Sequence, residues 1–258
     1  NVESYIEHLT QSNIKTNTLR RKIACMKVFY NYLKYQNIIE ENPFNQLRFQ
    51  FRTEKILPKT IPYDILKNIF SYLEQRVVIS KTDYQKQKAE RNLLIISLLL
   101  STGIRISELC HIHLKDINLS NKTLHIIGKG KKERILFLGD QTTFNLLETY
   151  INKNGKESND FLFPGKYSPK PLSEQSVRLI LKKIVEQNSL SKTITPHMFR
   201  HSFATMLLDN DVDIRYIQQI LGHSSISITQ IYTHVSHSKQ KEILSSFNPM
   251  SVIHSEIE

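Results

Sequence analysis

Apolar residues recur at three- and four-residue steps along most of the chain after residue 60, and one stretch alone breaks that rhythm. The spacing predicts helices over 62–76, 85–101, 140–153, 173–187, 196–209, 213–221 and 225–235. The exception is "TLHIIGKGKKERILFLG" (123–139), where two β-rich runs flank a Gly-Lys turn and predict a hairpin with a lysine-bearing loop. A chain so patterned folds as a mainly α protein with a small β-hairpin or sheet, in the α+β class. The segment 77–92 is polar in its middle and reads as an inserted loop or an extended helix start. No internal repeat or low-complexity tract interrupts the pattern.

The first fifty residues carry the same period on a smaller scale. Residues 2–10 read as a short helix, and a longer one begins near Thr16 or Thr18, either of which suits a helix cap. Leu19, Ile23, Met26, Phe29 or Tyr30, and Leu33 mark its buried stripe, while Arg20, Arg21, Lys22 and Lys27 lie in the basic run "LRRKIACMK". The stretch 48–62 is basic and broken by Pro58 and Pro62, which reads as a linker. The expected division is therefore a helical domain over 1–50, a linker over 51–61 and a larger domain over 62–258. The chain opens on Asn1 within a helical pattern, so the natural N-terminus is expected upstream.

Charge narrows the partners. The 258 residues carry a net +11 at neutral pH, spread over both halves, and such a spread suits a surface that follows phosphates. Cys25 and Cys110 are far apart and make no disulfide framework, so a reducing cytoplasm is the expected compartment. The longest apolar run, "LLIISLLL" (93–100), is too short to span a bilayer, so no membrane insertion is expected.

Four motifs hold residues with chemical capacity. In "STGIRISELC" (101–110), Gly103 suits a helix C-terminus of positive φ and Arg105 opens the next helix, where backbone N–H groups favour an anion. Glu108, three residues on, can hold that arginine, as in any helix ion pair. In "TPHMFRHSFAT" (195–205), Thr195 and Pro196 start a helix on which His197 and Arg200 share a face. His197 and His201 have the spacing of a zinc helix, but the glutamate beside the first histidine is absent, and no metal is expected. The hairpin turn offers Lys129, Lys131 and Lys132, with Lys129 between Gly128 and Gly130. In "LGHSSISITQIYTH" (221–234), a helix ends at Leu221 and Gly222, and a second carries Tyr232. With a pKa near ~10, ionising a tyrosine at pH 7 costs roughly 4 kcal/mol. A site that uses Tyr232 as a nucleophile must supply a base or positive charge, a clamp for phosphate oxygens and an acid for the leaving sugar oxygen. Arg105, Lys129, His197, Arg200, His223 and Tyr232 supply that set without a metal or other cofactor.

The segments "TGIRISEL", "IIGKGKKERILFL", "HMFRHSFAT" and "LGHSSISITQIYTH" come in the order and at the spacings of the tyrosine recombinase family, and the spelling is most like the Xer-type bacterial enzymes. The resemblance covers nearly all of 60–235, and 1–50 resembles the family's helical core-binding domain. It implies a two-domain clamp on double-stranded DNA. Arg105 and Arg200 would hold the scissile phosphate, and Glu108 would support Arg105. Lys129 would be the acid, His197 and His223 would fill the two histidine positions, and Tyr232 would be the nucleophile. Arg20, Arg21, Lys22, Lys27, Lys131 and Lys132 are expected DNA contacts. The implied reaction passes through a 3′-phosphotyrosine and a Holliday junction, in a homo-tetramer or a hetero-tetramer with a second recombinase, in which the segment after 237 docks on a neighbour. A translocase activator and a nucleoid location belong to the same resemblance, as do chromosome dimer resolution and mobile element integration.

Two other readings use the same residues. A DNA-binding protein with a helix-turn-helix over 213–235 would form no covalent product. A type IB topoisomerase would relax plasmid lacking any specific site.

Overall fold

The structure, a computed structural model, describes residues 2–12, 14–45, 47, 59–128, 132–154, 160–165, 169–190, 193–222 and 237–254. The chain divides into two compact units, Asn1–Leu57 and Pro58–Glu258.

In the first unit, α1 (Val2–Gln11) and α2 (Thr16–Tyr35) pack through Ile6, Leu9, Leu19 and Ile23, with Phe44 returning from the loop beyond. Asn42 pins that loop: its side-chain amide donates to Asn31 Oδ1 at 2.6 Å, and its Oδ1 accepts the Phe44 N–H at 2.9 Å. Tyr30 joins this core while Phe29 stands exposed, which settles the choice the spacing left open. Lys15, not a threonine, is the N-cap of α2, and no side chain caps that end. The expected threonine cap fails because Thr16 is itself the first helical residue.

The second unit is built around α4 (Asp83–Thr102). From Leu93 to Thr102 every residue is buried, as expected of a helix end apolar on all sides. The polar first half of α4 follows an N-cap at Thr82, so residues 83–92 extend the helix and do not form a loop. Packed on α4 are α3 (Tyr63–Val78), α6 (Gln141–Asn154), α8 (Pro196–Asp209) and the last helix, α11 (Pro249–His254). The short α5 (Ile106–Cys110) packs on α7 (Glu174–Gln187), and α9 (Ile214–Leu221) on α8. The predicted hairpin forms as β2 (Thr123–Ile127) and β3 (Glu133–Phe137), antiparallel, with Leu124 opposite Leu136 and Ile126 opposite Arg134. A third strand, β1 (Ile117–Asn118), extends it into a three-stranded sheet of order β1-β2-β3. α10 (His237–Ser246) packs on β3, and α11 closes over α4, α6 and α8 with Met250 and Ile253 fully buried. No described helix is long and apolar enough to cross a membrane.

Candidate active site

α4 ends as its sequence predicts, at Gly103 in the left-handed conformation (φ +61°). A Cβ there would lie 2.6 Å from Phe203 Cδ1 and 2.7 Å from Leu221 Cδ2, so α8 and α9 approach the cap as closely as only glycine allows. The turn delivers Arg105 to the N-cap of α5.

The expected open anion site at that N-cap is filled by the chain itself. α5 has only 5 residues, and Glu108 Oε2 accepts the Arg105 backbone N–H at 3.0 Å. Oε1 of the same carboxylate accepts Arg105 Nη1 at 2.8 Å. Glu108 thus forms with Arg105 the ion pair that the spacing predicts, and its side chain is only 4% exposed.

A second arginine meets Glu108 from the sheet. Arg134 on β3 donates Nη1 to Oε1 at 2.9 Å and Nη2 to Oε2 at 2.7 Å, a two-pronged contact matched to a carboxylate. Burial by itself would push the Glu108 pKa up, but hydrogen bonds from Arg134 and Arg105 and the Arg134 charge outweigh it and leave the pKa at about 2. Glu108 is therefore an anion throughout the physiological range.

Arg200 comes from α8, buried, three residues after His197. Its Nη1 donates to Gly103 O at 2.7 Å and its Nη2 to Leu221 O at 2.6 Å. Burial, then the nearby charges of Arg105 and Arg134, lower its pKa to about 10 against the pull of Glu108, which leaves it cationic at neutral pH.

All three arginines gather on the C-terminus of α9. Arg134 Nε donates to Ile220 O at 3.2 Å, Arg200 to Leu221 O, and Arg105 Nη2 to Gly222 O at 3.3 Å. Terminal helix carbonyls lack intrahelical partners and carry the negative end of the dipole, so they collect cations. Two of these guanidiniums bond the single carboxylate of Glu108 and the third lies near it, which leaves excess positive charge at the end of α9, an arrangement suited to an anion.

The expected site residues fare differently. Arg105, Glu108 and Arg200 come together. His197 is exposed one turn before Arg200 and lines a cleft of about 610 Å³ with Ile106, Arg178 and Lys182. His201 beside it is held below the usual histidine range by partial burial, then by the charges of His197 and Arg200. Lys132 is exposed at the hairpin, and Arg20, Arg21, Lys22 and Lys27 are exposed on α2 of the first unit. Lys129, Lys131, His223 and Tyr232 lie outside the described residues, as does the predicted helix over 225–235. α9 does end where the sequence places it, at Gly222 with φ +64°, the residue before His223.

Arg134 is the residue that sequence reasoning missed. Its signal was available: in "ERILF" it alternates with Leu136, so it occupies a core-facing position of the strand with a charged side chain.

Known proteins resemble this chain over most of its length. Residues 69–239 match the phage integrase family. A tyrosine recombinase of Agathobacter rectalis is 51% identical over 257 residues, which cover 98% of this chain and 83% of that protein. Tyrosine recombinase XerC of Bacillus subtilis is 34% identical over 252 residues, covering 95% of this chain and 79% of its own. Among solved structures, the XerH site-specific recombinase bound to its difH substrate in a pre-cleavage complex shares the fold. Its TM-score is 0.68 at 24% identity, with 95% of this chain and 69% of that one covered. The chain belongs to the phage integrase family, and with it to the tyrosine recombinases, enzymes that break and rejoin DNA.

Proposed function

We propose that the protein is a site-specific recombinase in which Tyr232 attacks a DNA phosphodiester held by Arg105 and Arg200. The Tyr232 oxygen bonds to phosphorus and the bond to the 5′ oxygen breaks. Lys129 gives its proton to that oxygen, leaving a 3′-phosphotyrosine and a free 5′ hydroxyl. The hydroxyl of one strand then attacks the phosphotyrosine of its partner and releases the tyrosine. One such exchange gives a Holliday junction, and a second round resolves it. Each step trades one phosphoester for another, so the reaction needs no external energy source.

The observation that carries the reading is the convergence of Arg105 and Arg200 on the end of α9, with Glu108 buried behind Arg105. Two guanidiniums fixed in advance suit the charge that grows on the phosphate oxygens in the transition state. His197 and His223 are assigned the proton transfers at Tyr232 and at the phosphate. In this reading the two units close on the duplex as a clamp, with Arg20, Arg21, Lys22, Lys27, Lys131 and Lys132 on the DNA backbone. Strand exchange needs two cleaved duplexes at once, which supports a tetramer of this chain alone or with a second recombinase. The segment from α10 onward is assigned to contacts between protomers.

The test is a covalent trap. Nicked duplex fragments from the native genome are incubated with the protein in EDTA and run on a denaturing gel beside Tyr232→Phe. The expected result is an adduct that requires Tyr232 and maps to one recurrent sequence. Adduct at unrelated sequences would favour a topoisomerase, and DNA binding without adduct in the unmutated protein would refute the proposal.

A further inference from the structure

We propose that Arg134 is a positioning residue for strand cleavage, holding Glu108, and through it Arg105, in register with the end of α9. This rests on the recombinase reading above and adds a residue to it.

The geometry concerns how many segments one side chain ties together. Glu108 accepts four hydrogen bonds, two from Arg105 and two from Arg134, which fills its acceptor sites. Arg105 lies on the same short turn as Glu108, so among the described residues Arg134 is what fixes the carboxylate from the sheet side. The third Arg134 donor, Nε, takes Ile220 O, two residues before the Gly222 carbonyl that Arg105 takes. The two arginines therefore meet both at Glu108 and at α9.

Two glycines report how tightly the pair is enclosed. A Cβ on Gly222 would lie 3.0 Å from Arg134 Cδ, and one on Gly128 would lie 3.3 Å from Glu108 Oε1 and 3.7 Å from Arg134 Nη1. Gly128 also donates its backbone N–H to Lys132 O at 2.7 Å, closing the root of the loop that bears Lys129. Arg134 thus stands at the junction of the segments leading to Arg105, Lys129 and His223. Its own side chain is 13% exposed against 32% for Arg105, so it sits behind the arginine that faces solvent. That ordering makes it a support for the phosphate clamp and not a member of it. A lysine would keep the charge but lose the fork and the bond to Ile220 O.

The experiment measures single-turnover cleavage of the trapped nicked site at saturating DNA, with DNA affinity and melting temperature alongside. Variants are Arg134→Lys, Arg134→Gln, Glu108→Gln and the double Glu108→Gln/Arg134→Gln. Arg134→Lys is expected to fold and to bind DNA within about threefold of the unmutated protein, while cleaving on the order of 100-fold more slowly, the scale of a misplaced catalytic group. The double variant is expected to lose far less than the product of the two single losses, because both break one linkage.

A pH profile separates positioning from general weakening of the fold. Among the described residues, the charged groups facing Glu108 are Arg105 on its own turn, Arg134 from β3 and Arg200 from α8, and the polar ones are the carbonyls closing α9. With Arg134→Gln the acid limb of cleavage should move to higher pH, and the double variant should lose that movement. Arg134→Lys cleaving at the unmutated rate, losses that multiply, or a defect confined to DNA affinity would each overturn the role. Absence of any Tyr232 adduct in the unmutated protein would instead overturn the recombinase reading on which the role depends.

Discussion

Glu108 is one buried carboxylate on which two arginines depend, and its acid–base behaviour should show in stability. Its folded pKa of about 2 lies below the ordinary glutamate value of ~4.3, so the group stabilises the fold above the ordinary value. That contribution is lost as pH falls from ~4.3 toward the folded pKa, and a gap of this size corresponds to roughly 3 kcal/mol. Denaturant unfolding of the unmutated protein and Glu108→Gln across pH 7 to pH 2.5 should show a difference that is largest at neutral pH and shrinks through this window. A difference independent of pH would mean that the carboxylate charge is not what stabilises the site. At this scale the sequence was readable where partners are close along the chain. Arg105 and Glu108 are three apart, and any helical turn brings them together. Arg134 was hidden because its meeting with Glu108 depends on strand register and on how the sheet lies against α5, neither of which local spacing encodes.

At the scale of elements, helices were legible because each buries one stripe, and their ends were legible where glycine or proline marks them. Gly103 is the clearest case: a positive φ, two side chains within 2.7 Å of the missing Cβ, and a carbonyl that accepts Arg200 Nη1. Gly103→Ala should therefore cost on the order of 2–3 kcal/mol, from left-handed strain plus displacement of Phe203 and Leu221. For a unit of this size that is a fall in Tm of about 5–10 °C, measurable by thermal unfolding. Cleavage should fall further than stability alone explains, since the displaced carbonyl is one of Arg200's two backbone partners. Unchanged Tm would show that the α4–α5 turn can relax around a methyl group. The element that spacing misjudged was α5, too short at 5 residues to present an empty N-terminus once Glu108 folds back on it. β1 went unseen for a related reason, because a two-residue strand has no period to read.

At the scale of the whole molecule, the charge of +11 indicated a polyanion partner without locating it, whereas the closure of the second unit was visible only in three dimensions. Asn248, fully buried, donates its side-chain amide to Ser101 O at 3.0 Å and accepts the Met250 N–H at 3.0 Å. Ser251 donates to Asp140 Oδ1 at 2.9 Å. The bonds to Ser101 and Asp140 seat α11 on its own chain across 147 and 111 positions of sequence, a pairing that no local pattern announces. Met250 and Ile253 are each fully buried there, and burying a side chain of that size contributes roughly 1.5–3 kcal/mol. Ending the chain at Phe247 should therefore lower stability by several kcal/mol, as read by denaturant unfolding. If this segment passes between protomers on DNA, as proposed, its seat accepts it from either chain. A peptide spanning 248–258 should then restore the Tm of the shortened protein in a concentration-dependent way. The peptide should fail to do so when Met250 and Ile253 are both changed to Ser. Stability unaltered by the truncation would leave α11 with no hold on the core. Lost stability that no peptide restores would mean that the segment is seated only as part of its own chain, and the exchange between protomers would have to be abandoned.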